Sequence, residues 1–221
     1  VEVIEVPADS PPVVAVLPFT TSGDSEDSEL FADGVHDDLL TQLSRLGSLR
    51  VISRTSVLSY RDVERNIRQI GRELGATVVL EGFVRVVGDQ LRINVQLIDA
   101  TTDQHLWADT FDRSLTTTNL FEIQAEIARA ISKALDTELS PAEERDLAII
   151  PTSNMAAYRA FKRAIGGTGR NHATPEFLED LEQAVALDPE FVRAWAEIAG
   201  GYATQSSKPD NDREEYLQRS E

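Results

Sequence analysis

Residues 76–113 constrain the fold of this chain more than any other stretch. Val78, Leu80, Val84 and Val86 alternate with Val79, Glu81, Phe83, Arg85 and Val87, so both faces of the segment are largely apolar. That is the pattern of a strand covered on at least one face. Gly88-Asp89 breaks the run, and Leu91, Ile93, Val95 and Leu97 then alternate with Arg92, Asn94 and Gln96. This period-2 signal marks a half-buried strand with one polar face. Thr101-Thr102-Asp103 supplies the next turn, and His105 to Arg113 form a third strand carrying Trp107 and Phe111. Turns this short join antiparallel neighbours, so the sequence predicts a three-stranded meander.

The elements around the meander read as its cover. Pro7, Pro11 and Pro12 make residues 1–12 an extended lead-in. The continuous apolar run Val13–Phe19 predicts a central strand, followed by a polar loop from Thr20 to Asp27. Ser28 is a candidate N-cap for a helix that aligns Phe31, Val35, Leu39, Leu43 and Leu46 and stops at Gly47. A second strand at Leu49–Ser53 leads through a Ser/Thr-rich connection to a helix from about Val63. That helix carries Ile67, Ile70 and Leu74 and ends at Gly75. After the meander, Leu120, Ile123, Ile127, Ile131 and Leu135 recur at helical spacing over about 117–139. The expected fold of residues 13–146 is α+β, an α/β sandwich with one mixed five-stranded sheet and helices packed on it.

Residues 141–150 read as a boundary, and residues 147–221 as an all-α segment. Pro189, Trp195, Ile198, Ala199 and Tyr202 carry the spacing of a tetratricopeptide repeat, in which bulky, small and aromatic residues set how paired helices cross. Phe161 lies 34 residues before Trp195, one repeat period. The glycines at 166–169 interrupt the first repeat. More repeats are expected beyond this piece, because one and a half cannot cover their own apolar face.

The net charge is −17, but it is uneven: residues 1–44 hold no Lys or Arg, and nine arginines fall in 45–92. An acidic surface of this kind argues against nucleic-acid or anionic-lipid binding by this segment. No apolar run reaches the length of a membrane helix, so membrane insertion by this segment is not expected. With no cysteine, disulfides and thiolate metal sites are excluded. The start at Val1 without an initiator Met, and the end at Glu221 in an unfinished helix, lead us to expect a soluble piece of a longer protein.

Candidate chemistry is sparse. Gly166–Gly169 lacks the Gly-Lys-Ser/Thr ending of a phosphate loop and reads as an inter-helix turn. His36-Asp37-Asp38 could be metal ligands, but the stronger reading is a solvated acidic helix face. His36, His105 and His172 fall in separate elements without ligand spacing, and no cofactor or metal is expected. No nucleophile elbow is present, and no acid–base pair stands out. The loop containing Ser22, Gly23 and Asp24 precedes a helix N-terminus, where α/β folds bind ligands, although its acids oppose a phosphate. Trp107 reads as core before it reads as a sugar platform. Arg61, Arg65, Arg68 and Arg72 share helical spacing, either a solvated face or a partner surface. Arg193, Glu197 and Gly200 are the groove-side candidates of the repeat segment.

Four runs together resemble a known family: Val14–Phe19, Phe31–Gly34, Leu49–Ser56, and Leu80–Arg85 continuing to Gln96–Ala100 and His105–Ala108. The combination resembles the TolB-amino-terminal-like domain found ahead of tetratricopeptide repeats in bacterial signalling proteins. In those proteins the domain accompanies an adenylate cyclase, a CadC-type winged-helix activator or a protein kinase, often after a transmembrane helix. The resemblance implies a non-enzymatic regulatory module that docks a protein or peptide partner. It also implies an extracytoplasmic placement and leaves homo-oligomerisation open. The alternative class is a small-molecule sensor with its ligand near the Thr20–Asp27 loop.

Overall fold

The computed structural model describes residues 11–22, 26–61, 66–166 and 174–206. Two compact units are present, the first made of residues up to Leu115 with Asn119–Ile149, the second running from Ile150. The first runs β1 (Val13–Val16), β2 (Thr20–Thr21), α1 (Glu26–Leu43), β3 (Arg50–Val51), α2 (Arg54–Leu58), α3 (Ile67–Leu74), β4 (Val78–Val87), β5 (Gln90–Asp99), β6 (Gln104–Ser114), α4 (Thr117–Ala134) and α5 (Pro141–Leu147).

The meander forms as its alternation predicts. β4, β5 and β6 pair antiparallel in the register Val84↔Ile93↔Phe111, with one bulge opposite Leu97/Ile98 that leaves Leu106 as the extra residue. β1 lies between β3 and β4, parallel to both, which makes the sheet mixed, in the order β3-β1-β4-β5-β6. The expected five strands become six, because the first two residues of the predicted polar loop form β2. Thr20 and Thr21 pair parallel with Phe83 and Val84 of β4, in line with β1. Val16 faces Leu80 and Thr20 faces Phe83, so four steps on one strand span three on the other. The extra residue is a bulge at Leu17–Phe19, and it turns the Phe19 ring over Gly82. A Cβ on Gly82 would lie 2.3 Å from that ring, so no larger residue fits without displacing it.

One sheet face is the main core. Val14, Val16, Leu80, Val84, Ile93, Val95 and Leu97 are fully buried, as are Phe31, Val35, Leu39 and Leu43 of α1 and Leu120, Ile123, Ile127 and Ile131 of α4. The α1 helix contacts β1, β2 and β4. The other face is covered at one end, where Val57 of α2 and Ile67 and Ile70 of α3 join Ala15, Leu17, Val79 and Ile98. Its remainder, with Arg85, Arg92, Thr110 and Asp112, is exposed.

Local chemistry explains several boundaries that the sequence placed differently. α1 already begins at Glu26, so Ser28 is a buried residue inside the helix and not its cap. The Ser/Thr-rich connection after β3 holds the short helix α2. Val63 lies outside the described residues, and the described helix α3 starts at Ile67, where the Asn66 side chain accepts a hydrogen bond from the Arg68 N–H at 2.8 Å. It stops at Gly75, whose φ of 65° suits a residue without a side chain. α4 ends earlier than periodicity suggests, at Ala134, because Asp136 adopts a left-handed φ of 56° and the Thr137 N–H closes onto the Ser132 carbonyl at 2.9 Å. The boundary stretch 141–150 begins with the helix α5, started by Pro141 and a capping box between Ser140 and Glu143.

The second unit contains α6 (Met155–Gly166), α7 (Pro175–Leu187) and α8 (Val192–Ser206). Phe161, Ile165, Phe177, Leu181, Phe191 and Ala194 form its core. Thr174 caps α7 ahead of Pro175. The Thr152 hydroxyl donates to Asp188 at 2.5 Å, and the Asn154 amide donates to the Leu187 carbonyl at 2.9 Å, which ties the entry of α6 to the exit of α7.

Candidate functional site

The loop after β1, the arginine segment and α8 are the places where sequence reading put function. At the first, Ser22 is exposed, while Gly23 and Asp24 lie outside the described residues. Further along, α1 carries a buried polar cluster. His36, Asp37 and Asp38 are 0, 5 and 1% exposed, which corrects the expectation of a solvated acidic face. Burial reaches adjacent helix positions because α1 is covered on more than one side: Ala32 and Leu40 add a second apolar stripe beside Phe31, Val35, Leu39 and Leu43. That doubled stripe was the signal available in the sequence.

Each member of the cluster has a defined role. The His36 Nε2 lies 3.0 Å from the Val16 carbonyl and Nδ1 has no hydrogen-bond partner, which assigns a neutral ring with the proton on Nε2. Burial pushes its pKa below the ordinary value, opposed by the Val16 bond and reinforced by the Arg54 charge. The ring sits 6.3 Å from that of Phe19, so the same histidine braces both ends of the bulge. Asp37 faces Arg54 of α2 at 3.5 Å, and Asp38 accepts from the Gln124 amide of α4 at 3.3 Å. Among the described residues, no group of three or more His, Cys, Asp or Glu could hold a metal ion.

The arginine segment does not present four matching side chains. The Arg61 guanidinium donates to Asp33 of α1 at 2.6 Å, and that of Arg68 to the Thr102 carbonyl at 2.7 Å. Arg72 is exposed in the last turn of α3, and Arg65 lies outside the described residues. Two of the charges thus fasten the helical layer to α1 and to the β5–β6 turn.

On α8, the Arg193 guanidinium lies 5.3 Å from the Phe161 ring centroid, so it stacks on α6. Glu197 is half-buried, and Gly200 is exposed with open space where a Cβ would go. Of Pro189, Trp195, Ile198, Ala199 and Tyr202, Ile198 is the buried one. Trp195 and Tyr202 are each 50% exposed; Trp195 donates to the Pro189 carbonyl at 3.0 Å and Tyr202 to Glu182 at 2.9 Å. α6 and α8 start at 155 and 192, so the residue as far into α6 as Trp195 is into α8 is the buried Tyr158, with Phe161 one turn further on. Trp107, expected in the core, is half-buried on β6.

One feature with no sequence signal is an open cleft of about 560 Å³ at the C-terminal end of α4, lined by Arg129, Ser132, Lys133, Asp136, Thr137, Glu138, Leu139 and Glu144. The Ser132 hydroxyl is buried there without a hydrogen-bond partner, and Arg129 is held by Glu144 at 2.8 Å.

With this geometry in view, the comparisons with known proteins are informative. "Putative adenylate cyclase 3" of Rhizobium meliloti (strain 1021) is 43% identical over 133 residues, 60% of this chain. The chain spans 22% of that relative's length. Among solved structures, TolB from Acinetobacter baumannii is similar at 18% identity and a TM-score of 0.42, over 57% of this chain and 29% of that one. Lipoprotein GNA1162 from Neisseria meningitidis is similar at 14% identity and a TM-score of 0.42, over 59% of this chain and 100% of that one. The second domain of HilA/YgeH-like transcriptional regulators matches residues 10–130, more than half of the chain. The chain therefore belongs, through its sheet-bearing unit, to the HilA/YgeH-like transcriptional regulator second-domain family.

Proposed function

We propose that this chain is a non-catalytic regulatory module of a larger bacterial signalling protein, binding partner proteins on behalf of an output domain carried elsewhere. The observation that carries this reading is that one module recurs beside different outputs. Residues 10–130 match a domain of transcriptional regulators, while the 43%-identical relative is named as a cyclase and is about 78% other sequence. A unit shared in this way supplies regulation rather than either chemistry.

In the same proposal, α6–α8 are the first tetratricopeptide-type repeats, and α8 presents Arg193, Glu197 and Gly200 to a peptide or protein segment. The helix pairing, the Thr152–Asp188 tie and the Leu187-Asp188-Pro189 exit support that reading. Gly200 gives the cleanest test. Nothing lies within 4 Å of a Cβ built there, so Gly200→Arg leaves the packing intact and improves helix propensity by about 0.5–1 kcal/mol. The expected outcome is an unchanged or higher melting temperature with loss of a partner isolated by affinity capture from the native cell. Undiminished binding would remove α8 from the interface. The extracytoplasmic placement implied by the resemblance belongs to this proposal, and a phosphatase-reporter fusion to the full-length protein tests it.

A second reading, a small-molecule sensor, is favoured by the cleft at the end of α4, whose mixed charges suit a ligand with both an amine and a carboxylate. It requires a rise in melting temperature with an added low-mass fraction and loss of that rise in Lys133→Glu.

A further inference from the structure

The β6 strand is eleven residues long and ends the sheet, with β5 as its neighbour on one side and, among the described residues, no strand on the other. Nearly all of it is exposed. An edge of this length exposes a ladder of backbone donors and acceptors and is ordinarily blunted by proline, lysine or a covering segment. β6 has no proline or lysine and, among the described residues, no covering strand; its bulge lies toward its start, at Leu106, and its charges, Asp109, Asp112 and Arg113, cluster around Phe111.

The chain instead caps this edge with its own side chains. The Thr110 N–H donates to the Asp109 carboxylate at 2.7 Å, and the Asp112 carbonyl accepts from the Arg113 guanidinium at 3.1 Å. Alternate residues of a strand aim their backbone groups to the same side. Thr110 and Asp112 are therefore the residues whose groups point away from β5.

An antiparallel pairing of β6 with a second β6, centred on Phe111, sets residue 110 opposite 112, 109 opposite 113 and 108 opposite 114. In that register the Thr110 N–H meets the Asp112 carbonyl of the other copy, so these two capped groups satisfy each other, while the Ser114 carbonyl, held in the single chain by the Asn119 amide at 2.7 Å, exchanges that bond for the Ala108 N–H of the other copy. The two capping side chains released by the exchange, Asp109 and Arg113, are opposite charges facing across the strands, and symmetry makes the pair twice. Registers that set Asp109 against Asp109 or Asp112 oppose like charges. Arg113 also lies 3.9 Å from Glu126 of α4, at 45% side-chain exposure, a loose contact that leaves it free to turn.

We propose that β6 is a self-recognition edge on which two copies of this chain pair antiparallel about Phe111, exchanging the internal Asp109 and Arg113 caps for Thr110–Asp112 backbone bonds and Asp109–Arg113 pairs between copies. The partner is a second copy because the strand is complementary to itself in both its charges and its blocked backbone groups. This goes beyond docking of foreign proteins, since it couples two regulatory modules and hence the two outputs attached to them.

Sedimentation velocity of the full 221-residue chain over a wide concentration range is the test, with circular dichroism as the folding control. The wild type is expected to show a concentration-dependent dimer. Thr110→Pro removes one outward donor without touching a bond to β5, and gives a folded monomer. Asp109→Arg and Arg113→Asp each create two like-charge pairs and weaken dimerisation about tenfold. The double variant D109R/R113D restores the pairs and returns the dissociation constant to about the wild-type value. A wild type that stays monomeric, including one whose edge takes a strand from another protein instead, overturns the proposal. A dimer unaffected by Thr110→Pro, or a double variant no tighter than the singles, does the same.

Discussion

Gly82 and His36 decide together how the first strand passes into α1. Phe19 occupies the space over Gly82, and His36 holds the Val16 carbonyl on the other side of the same bulge. Gly82→Ala forces the Phe19 ring out of a filled core and is expected to cost about 1–3 kcal/mol, read by urea denaturation. Phe19→Leu in the same background should recover part of that loss. The histidine adds a pH dependence. Burial holds its folded pKa below the ordinary 6.5, so the unfolded chain takes up a proton first as pH falls. Stability is complete above 6.5 and declines as pH drops from there toward the folded value. Melting temperatures between pH 8 and 5 should show that decline and lose most of it in His36→Gln. Glu81, pushed up by burial, works in the opposite sense from its ordinary 4.5 upward, which makes the His36→Gln comparison the informative one. Little of this cluster was legible beforehand. His36-Asp37-Asp38 looks like three charged neighbours on a surface helix, and only the second stripe at Ala32 and Leu40 signals that α1 is covered more widely.

At the scale of elements, the sequence was readable where periodicity ran long. Ten-residue strands with strict alternation, such as β5, set their own register and faces. The two-residue β2 has no periodicity to read, because two threonines look alike in a loop and in a strand. The 141–150 boundary shows the same ambiguity: the division between the units falls within it, at Ile149–Ile150, yet Pro141 and its paired acids are also the ingredients of a helix start. Ser140 accepts from the Glu143 N–H at 3.3 Å while Glu143 accepts from the Ser140 N–H at 2.7 Å and from the Gly47 N–H at 2.8 Å. Ser140→Ala is expected to cost about 1 kcal/mol and to speed amide exchange in α5 and at Gly47, measured by hydrogen exchange with mass spectrometry. Exchange unchanged at Gly47 would mean that Glu143 holds the turn without its own cap.

For the whole molecule, the division at Ile149–Ile150 separates a sheet-centred core from a helical one, each with its own buried cluster. A chain ending at Ile149 is expected to melt cooperatively near the first transition of the intact protein, as seen by calorimetry. A broad, non-cooperative melt would show that the first unit depends on the helical unit for its stability. The helical segment was the harder half to read. Of its signature residues, Trp195 and Tyr202 are half exposed and Ile198 is buried, and much of its described core comes from positions outside the signature, such as Phe177, Leu181 and Phe191.

The central position of β1 also has a mechanical meaning. β1 is clasped by parallel strands on both sides, Val13 and Val14 against β3 and Val14 to Val16 against β4. Tension arriving along the chain from the segment before it would load both rows of backbone bonds in shear at once, and neither row could be peeled singly. A module joined to its neighbours through this strand resists being pulled open from its front, and transmits a tug to α1 and β4 before it yields to one.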